Sequence, residues 1–184
     1  MKPEWFFDIE VLSRGEDSGL AAPVLRGTVM SYLHPFFKRH PETFALAVPL
    51  DTRRLRVFAS TREELDSLVQ YLTGIHWVRD YARLNYPRSV PADFSGTWTT
   101  YRRYRIPTLK TDRKLGGEHG QLRQRRLNEV VESKMDYFKL RSSSNQQVFT
   151  LVIERRPGTS SIECLPNGYG LSSGENIFAL PEVP

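Results

Sequence analysis

Alternation of apolar and polar positions opens the chain. Residues 4 to 12, EWFFDIEVL, set Trp5, Phe7, Ile9 and Val11 on one side and Asp8 and Glu10 on the other, the period-two signature of a half-buried strand. From about Ser18 to Lys38 the period lengthens to that of a helix, with Leu25, Val29, Tyr32 and Leu33 inward, and Pro35 marks its end or a kink. FALAVPLD alternates Phe44, Leu46, Val48 and Leu50, and LRVFAS follows after a short polar turn, so these form a hairpin or adjacent strands. Thr61 with Glu64 fits a capping box for a helix carrying Leu65, Leu68, Val69 and Leu72, which Gly74 stops. WVRDYARLNYP fits a fourth strand.

The order β-α-β-β-α-β over about 90 residues is that of the ferredoxin-like fold, which RNA-recognition modules also use. The fold class expected is α+β, with a ferredoxin-like domain over residues 1–92 and a smaller α+β domain over 93–184. The second half predicts a helix from about Gln121 to Met135 and strands at 137–142, 148–154, 160–164 and 169–172. Asn167-Gly168 is a hairpin signal.

Composition narrows the function classes. With 184 residues, 39% of them apolar, a core is affordable, and no apolar run is long enough to span a bilayer. The start lacks the pattern of a signal peptide, so the cytosol is the expected compartment. Cys164 is the only cysteine, and His34, His40, His76 and His119 are scattered, so neither a metal nor another cofactor is expected.

Charge changes the picture more. Residues 99–126 hold nine Lys and Arg against two acidic residues, an excess of seven in a chain whose net charge is only +5. Concentration of this kind points to a polyanion. Tyr101 and Tyr104 interleave with Arg102, Arg103 and Arg105, offering stacking faces and forked donors for bases, and Arg113 and Lys114 extend the tract. Arg123, Arg125 and Arg126 open the following helix, where its dipole disfavours cations unless an anion binds, while Leu127, Val130, Val131 and Met135 form a stripe expected to pack on the protein. Arginine-rich segments are one recurring way of holding structured RNA.

RNA carries its own nucleophile, the 2′-hydroxyl, so cleavage needs only a base, an acid and an aligned phosphate. Histidine suits the proton transfers because its unperturbed pKa is about 6.5. His34, near the end of the first helix, is the candidate; packing or capping is the competing role. Hydroxyls in LRSSSNQ can hold a phosphate, or simply make a turn with Asn145.

Four pieces together resemble a known family: a helix ending in YLH, the AVPL segment about a dozen residues later, LRSSSNQQVFTLVI, and the terminal YGLSSGENIF. They resemble the CRISPR repeat-processing endoribonuclease of subtype I-F. The resemblance implies that His34 is the general base, that Ser142 lies at the scissile nucleotide, and that Tyr169 orients the site. A one-residue slip of the strand exchanges Ser142 for a neighbour, so Ser142, Ser143 and Ser144 stay open as the serine at the phosphate, with Ser144 taken as an RNA contact.

The same resemblance implies stacking of Phe149, after Gln147, on the closing base pair of a hairpin. It implies base reading by Arg103 and by Arg105, where the family commonly has glutamine, and groove lining by Arg123, Arg125 and Arg126. The expected partners are the stem-loop of the CRISPR repeat and the other subunits of a type I-F surveillance complex, above all the adjacent backbone subunit. No homo-oligomer is expected. Two other readings compete: a non-catalytic RNA-hairpin-binding subunit of the same fold, and a DNA-binding or ribosome-associated module.

Overall fold

The computed structural model describes residues 1–12, 18–51, 53–108, 118–141, 147–161 and 163–184, with the side chains of 18–21 and 118–120 left aside. The elements follow in chain order: β1 (Trp5–Val11), α1 (Ser18–Arg39), β2 (Ala45–Ala47), β3 (Arg54–Ala59), α2 (Arg62–Thr73), α3 (His76–Tyr81), β4 (Ala82–Leu84) and β5 (Arg88–Ser89). After these come β6 (Trp98–Tyr104), α4 (Glu118–Glu132), β7 (Asp136–Arg141), β8 (Val148–Gly158) and β9 (Leu180–Pro181). The fold is α+β. The first sheet has the order β2-β3-β1-β4, and β5 continues along the β4 edge of β1. Its pairings are antiparallel, an arrangement compatible with the ferredoxin-like order. The second sheet, β7-β8-β6-β9, is antiparallel as well.

The amino-terminal strand is more deeply covered than its alternation predicts. Phe7, Ile9 and Val11 are buried as expected, but Phe6 and Asp8 on the opposite face are buried too. The reason is the carboxyl-terminal tail. Arg56 grips both oxygens of Asp8, at 2.6 and 3.0 Å, and also donates to the carbonyl of Val183. Arg88 and Arg54 add their charges at 3.5 and 3.8 Å from Asp8, while Arg56 and Arg88 both lie over the Phe6 ring. One buried carboxylate therefore gathers three arginines and ties the last residues of the chain to the first strand.

Helix α1 covers the expected span and ends at Arg39, passing through Pro35 while Phe36 and Phe37 carry its buried face onward against Phe44. It packs on β1 and also on β7. At Gly27 a methyl group would lie 1.9 Å from the carbonyl oxygen of Lys139, so only glycine lets helix and strand backbones meet. Phe138 and Leu140 of β7, with Leu151 and Ile153 of β8, consequently join the same core as Val29 and Leu33.

Thr61 and Glu64 form the capping box that opens α2, and Gly74 follows its last residue. The expected strand over 77–87 is corrected: it begins as the helix α3, and only Ala82–Leu84 pairs with β1. Side-chain pairs one helical turn apart favour that choice, with Trp77 stacked on Tyr81 at 5.2 Å and His76 3.0 Å from Asp80. Leu50, placed inward by alternation, is exposed. The strands expected at 160–164 and 169–172 do not appear among the described residues; one bridge from Ser172 to Arg102 is all that forms there. Among the described residues no helix is long and apolar enough to cross a membrane.

Replacing Asp8 by alanine leaves Arg56 buried without its counterion, which costs about 3–5 kcal/mol. Equilibrium urea unfolding checks this; a loss under about 1 kcal/mol would mean that the cluster contributes little to the fold.

Candidate active site and nucleic-acid interface

His34 and Tyr169 are 135 positions apart in the chain and in face-to-face contact in the fold. Their rings stack with centroids 4.1 Å apart and planes inclined by 10°. His34 is half-buried, and its Nδ1 lies 2.6 Å from the carbonyl oxygen of Gly168. A carbonyl only accepts, so Nδ1 carries the proton; in the neutral ring Nε2 is then the free base.

The turn that delivers Tyr169 is built locally. Asn167 Oδ1 accepts from the backbone N–H groups of Tyr169 and Leu171, at 2.8 and 3.3 Å, and the Asn167 carbonyl accepts from Gly170 N–H at 2.7 Å. Gly170 has φ +75°, and its carbonyl accepts from Leu46 N–H at 2.7 Å. A side chain at Gly170 would begin 2.9 Å from that Leu46 nitrogen. The glycine of the YGL segment is thus required twice over, by its dihedral angle and by close approach to β2. This explains why 167–171 docks on the first sheet instead of pairing as a hairpin strand.

Tyr169 also lines an open cleft of about 610 Å³ between β6, α4 and the carboxyl-terminal turn. Arg102, Arg103, Arg105, Arg125, Arg126 and Arg156 line it, against Glu129 and Glu154 as the acids. The acids arrange the arginines. Glu154, almost buried, takes Arg102 at 2.5 Å and Arg156 at 2.7 Å. Burial raises its carboxyl, but the hydrogen bonds and charges of Arg102 and Arg156 prevail and hold it below the usual range. Tyr104 donates to Glu129, Arg126 lies over the Tyr104 ring at 5.3 Å, and Arg125 stands 3.6 Å from Glu129. Burial, then the bond to Glu129, pushes the Tyr104 phenol up.

Helix α4 begins at Glu118, three residues before the expected start, so Arg123 lies beyond the first turn and the helix dipole weighs less on it than the sequence implied. Arg123 donates to the carbonyl of Pro107 at 2.6 Å and Arg126 to that of Arg105, fastening the helix to the chain leaving β6. The stripe expected to pack does so only in part: Val131 is exposed, Leu127 is half-buried, and Val130 and Met135 are half-buried beside Pro23. Polar anchoring at the other end of the helix replaces that packing.

Of the residues singled out in the sequence, His34 and Tyr169 meet each other, and Arg102, Arg103, Arg105, Arg125 and Arg126 share the cleft that Tyr169 reaches. Arg123 does not line that cleft and donates one N–H to the carbonyl of Pro107. Phe149, opposite Leu140 in the ladder, is half-buried against the core, and Gln147 is exposed. Arg113, Lys114, Ser142, Ser143 and Ser144 lie outside the described residues. Sequence reasoning gave no role at the site to Arg156, Glu154, Glu129 or Asn167. Alternation along LVIERR does put Glu154 and Arg156 on one side, but the register that sets Glu154 opposite Arg102 is not readable from β8 alone.

A family model described as CRISPR-associated protein (Cas_Csy4) matches residues 6–182, nearly the whole chain. The chain belongs to the Cas_Csy4 family. Members are repeat-processing endoribonucleases of subtype I-F, so this Cas_Csy4 chain is a CRISPR-associated endoribonuclease that binds and processes the repeat RNA hairpin. No curated protein matches it.

Because Glu154 titrates lower in the folded chain, its stabilising contribution is present above the ordinary glutamate range and lost as pH falls through the lower folded value. The difference in unfolding free energy between the native chain and Glu154→Gln should therefore be largest near neutral pH and shrink in acid. Denaturant titrations at several pH values measure it, and a difference independent of pH contradicts the assignment.

Proposed function

We propose that the chain cleaves the CRISPR precursor at the 3′ base of the repeat hairpin, without a metal, by attack of the 2′-hydroxyl on the adjacent phosphate. His34 Nε2 takes the hydroxyl proton, the 2′-oxygen bonds to phosphorus, and the 5′-oxygen departs, leaving a 2′,3′-cyclic phosphate. The observation that carries this reading is the imidazole itself: fixed through Nδ1 on Gly168, flat against Tyr169, and beside a cleft lined by arginines. Orientation of this kind is what a general base needs to act on a bound hydroxyl.

In this reading residues 1–92 carry the base and residues 93–184 dock the hairpin. Ser142 lies at the phosphate and Ser144 contacts the RNA. Arg103 and Arg105 read base edges, Arg125 and Arg126 meet phosphates together with Arg113, Lys114 and Arg123, and Phe149 beside Gln147 stacks on the closing base pair. The product stays bound, and the chain remains a cytoplasmic subunit of the surveillance complex next to a backbone subunit.

Incubation of a labelled repeat hairpin with the protein in chelator tests the chemistry. Cleavage by the native chain, a loss of about 10²- to 10⁴-fold in His34→Ala, and resistance of a hairpin with a 2′-deoxy group at the scissile nucleotide are expected. Equal cleavage by the native chain and His34→Ala removes the histidine from the mechanism. If neither cuts but both bind, the arginine cleft alone is left and the chain is a hairpin-binding subunit.

Arg125 is 70% exposed at the cleft. Its replacement by alanine should weaken binding and reduce the slope of log K against log salt by about one. An unchanged slope takes Arg125 off the phosphates.

A further inference from the structure

Two cations close the carboxyl-terminal turn of α1, and the fold treats them differently. Arg39 lies over the rings of Phe36 and Tyr71, at 5.6 and 5.4 Å. Lys38 is exposed and has no hydrogen-bond or ion-pair partner among the described residues. A favourable interaction with the helix dipole would suit either residue, so it does not explain why only one is left free.

The position of Lys38 does. It follows His34 by four residues, so the two side chains share one face of α1, a turn apart. The Asn167–Leu171 turn crosses that face at Gly168. His34 Nδ1 bonds the Gly168 carbonyl, and a side chain at Gly168 would begin 3.2 Å from Lys38 Cγ and 3.5 Å from His34 Cε1. Gly168 therefore lies against both the imidazole and the aliphatic stem of Lys38, whose side chain is exposed.

The reaction at this place has a charge problem that the imidazole leaves unsolved. As the 2′-oxygen attacks, its proton moves to Nε2 and a singly charged phosphodiester becomes a doubly charged phosphorane. When the bond to the 5′-oxygen breaks, the electron pair and the negative charge leave with that oxygen, which takes a proton from solvent. A preplaced cation stabilises such developing charge more than it stabilises the ground state.

We infer that Lys38 is a second catalytic group of this centre, its ammonium meeting the scissile phosphate and stabilising the charge that builds on it as His34 removes the 2′-proton. The inference rests on the proposed role of His34. It adds a cation from the first half of the chain. Lys38 differs from the arginines in what it does: they hold the hairpin before and after cleavage, whereas Lys38 acts on the step itself.

Single-turnover cleavage rates, and affinities for a hairpin made uncleavable by a 2′-deoxy scissile nucleotide, separate these roles in the native chain, Lys38→Met, Lys38→Arg and His34→Ala. Lys38→Met keeps the stem and removes the charge. It is expected to slow cleavage about 10- to 100-fold while affinity stays within about twofold, and Lys38→Arg to keep most of the rate. A Lys38→Met rate within about threefold of native overturns the inference, as does an affinity loss equal to the rate loss, which would make Lys38 one more phosphate contact. Loss of cleavage in His34→Ala with a native rate in Lys38→Met defeats only the role of Lys38. A native rate in His34→Ala defeats the reading on which both rest.

Discussion

One hydrogen bond, from His34 Nδ1 to the carbonyl oxygen of Gly168, is the constraint on which the candidate site depends. It joins the end of the first helix to a turn near the carboxyl terminus and decides which ring nitrogen stays unprotonated. The acceptor is a backbone atom whose own position is fixed, by Asn167 within the turn and by Leu46 through Gly170. Tyr169, between those glycines, then has little choice but to lie on the imidazole. Without the bond the ring would be free to rotate, and a base that rotates loses most of the benefit of proximity.

Such a bond needs the two halves of the chain to be held in register, and the molecule does this at two further places. At Gly27 the α1 backbone touches that of β7, and at Asp8 the buried ion cluster draws in Val183 through Arg56. Both contacts are short and intolerant of added volume or lost charge. Rigidity of that kind also serves the cleft. Its arginines repel one another, and Glu154 and Glu129 offset part of that repulsion while holding Arg102, Arg156, Tyr104 and Arg125 in place. Arg103 and Arg105 stay exposed and without acidic partners among the described residues, open to an anion.

Much of this was legible in the sequence wherever a local rule operates alone. The alternation of β1, the capping box at Thr61 and the hairpin of β2 and β3 formed as expected. Local rules failed where distant contacts intervene. Asp8 looked solvent-facing because its three arginines come from β3 and β5. In α3, ring pairs one turn apart outweighed a strand-like composition. The cleft was half readable: its arginines were conspicuous, but the acids that arrange them depend on the register between β6 and β8. The meeting of His34 with Tyr169 came from family resemblance alone, since nothing in either segment names the other.

The most direct test is the state of the His34 ring in solution. Two-bond nitrogen–proton correlation spectra of the protein with ¹⁵N-labelled histidine, free and bound to an uncleavable 2′-deoxy repeat hairpin, report which nitrogen carries the proton. The account predicts that the neutral form of the ring carries its proton on Nδ1, with Nε2 as the bare nitrogen, in both states. A ring protonated at Nε2 instead, or one exchanging freely between tautomers when the hairpin is bound, would contradict it.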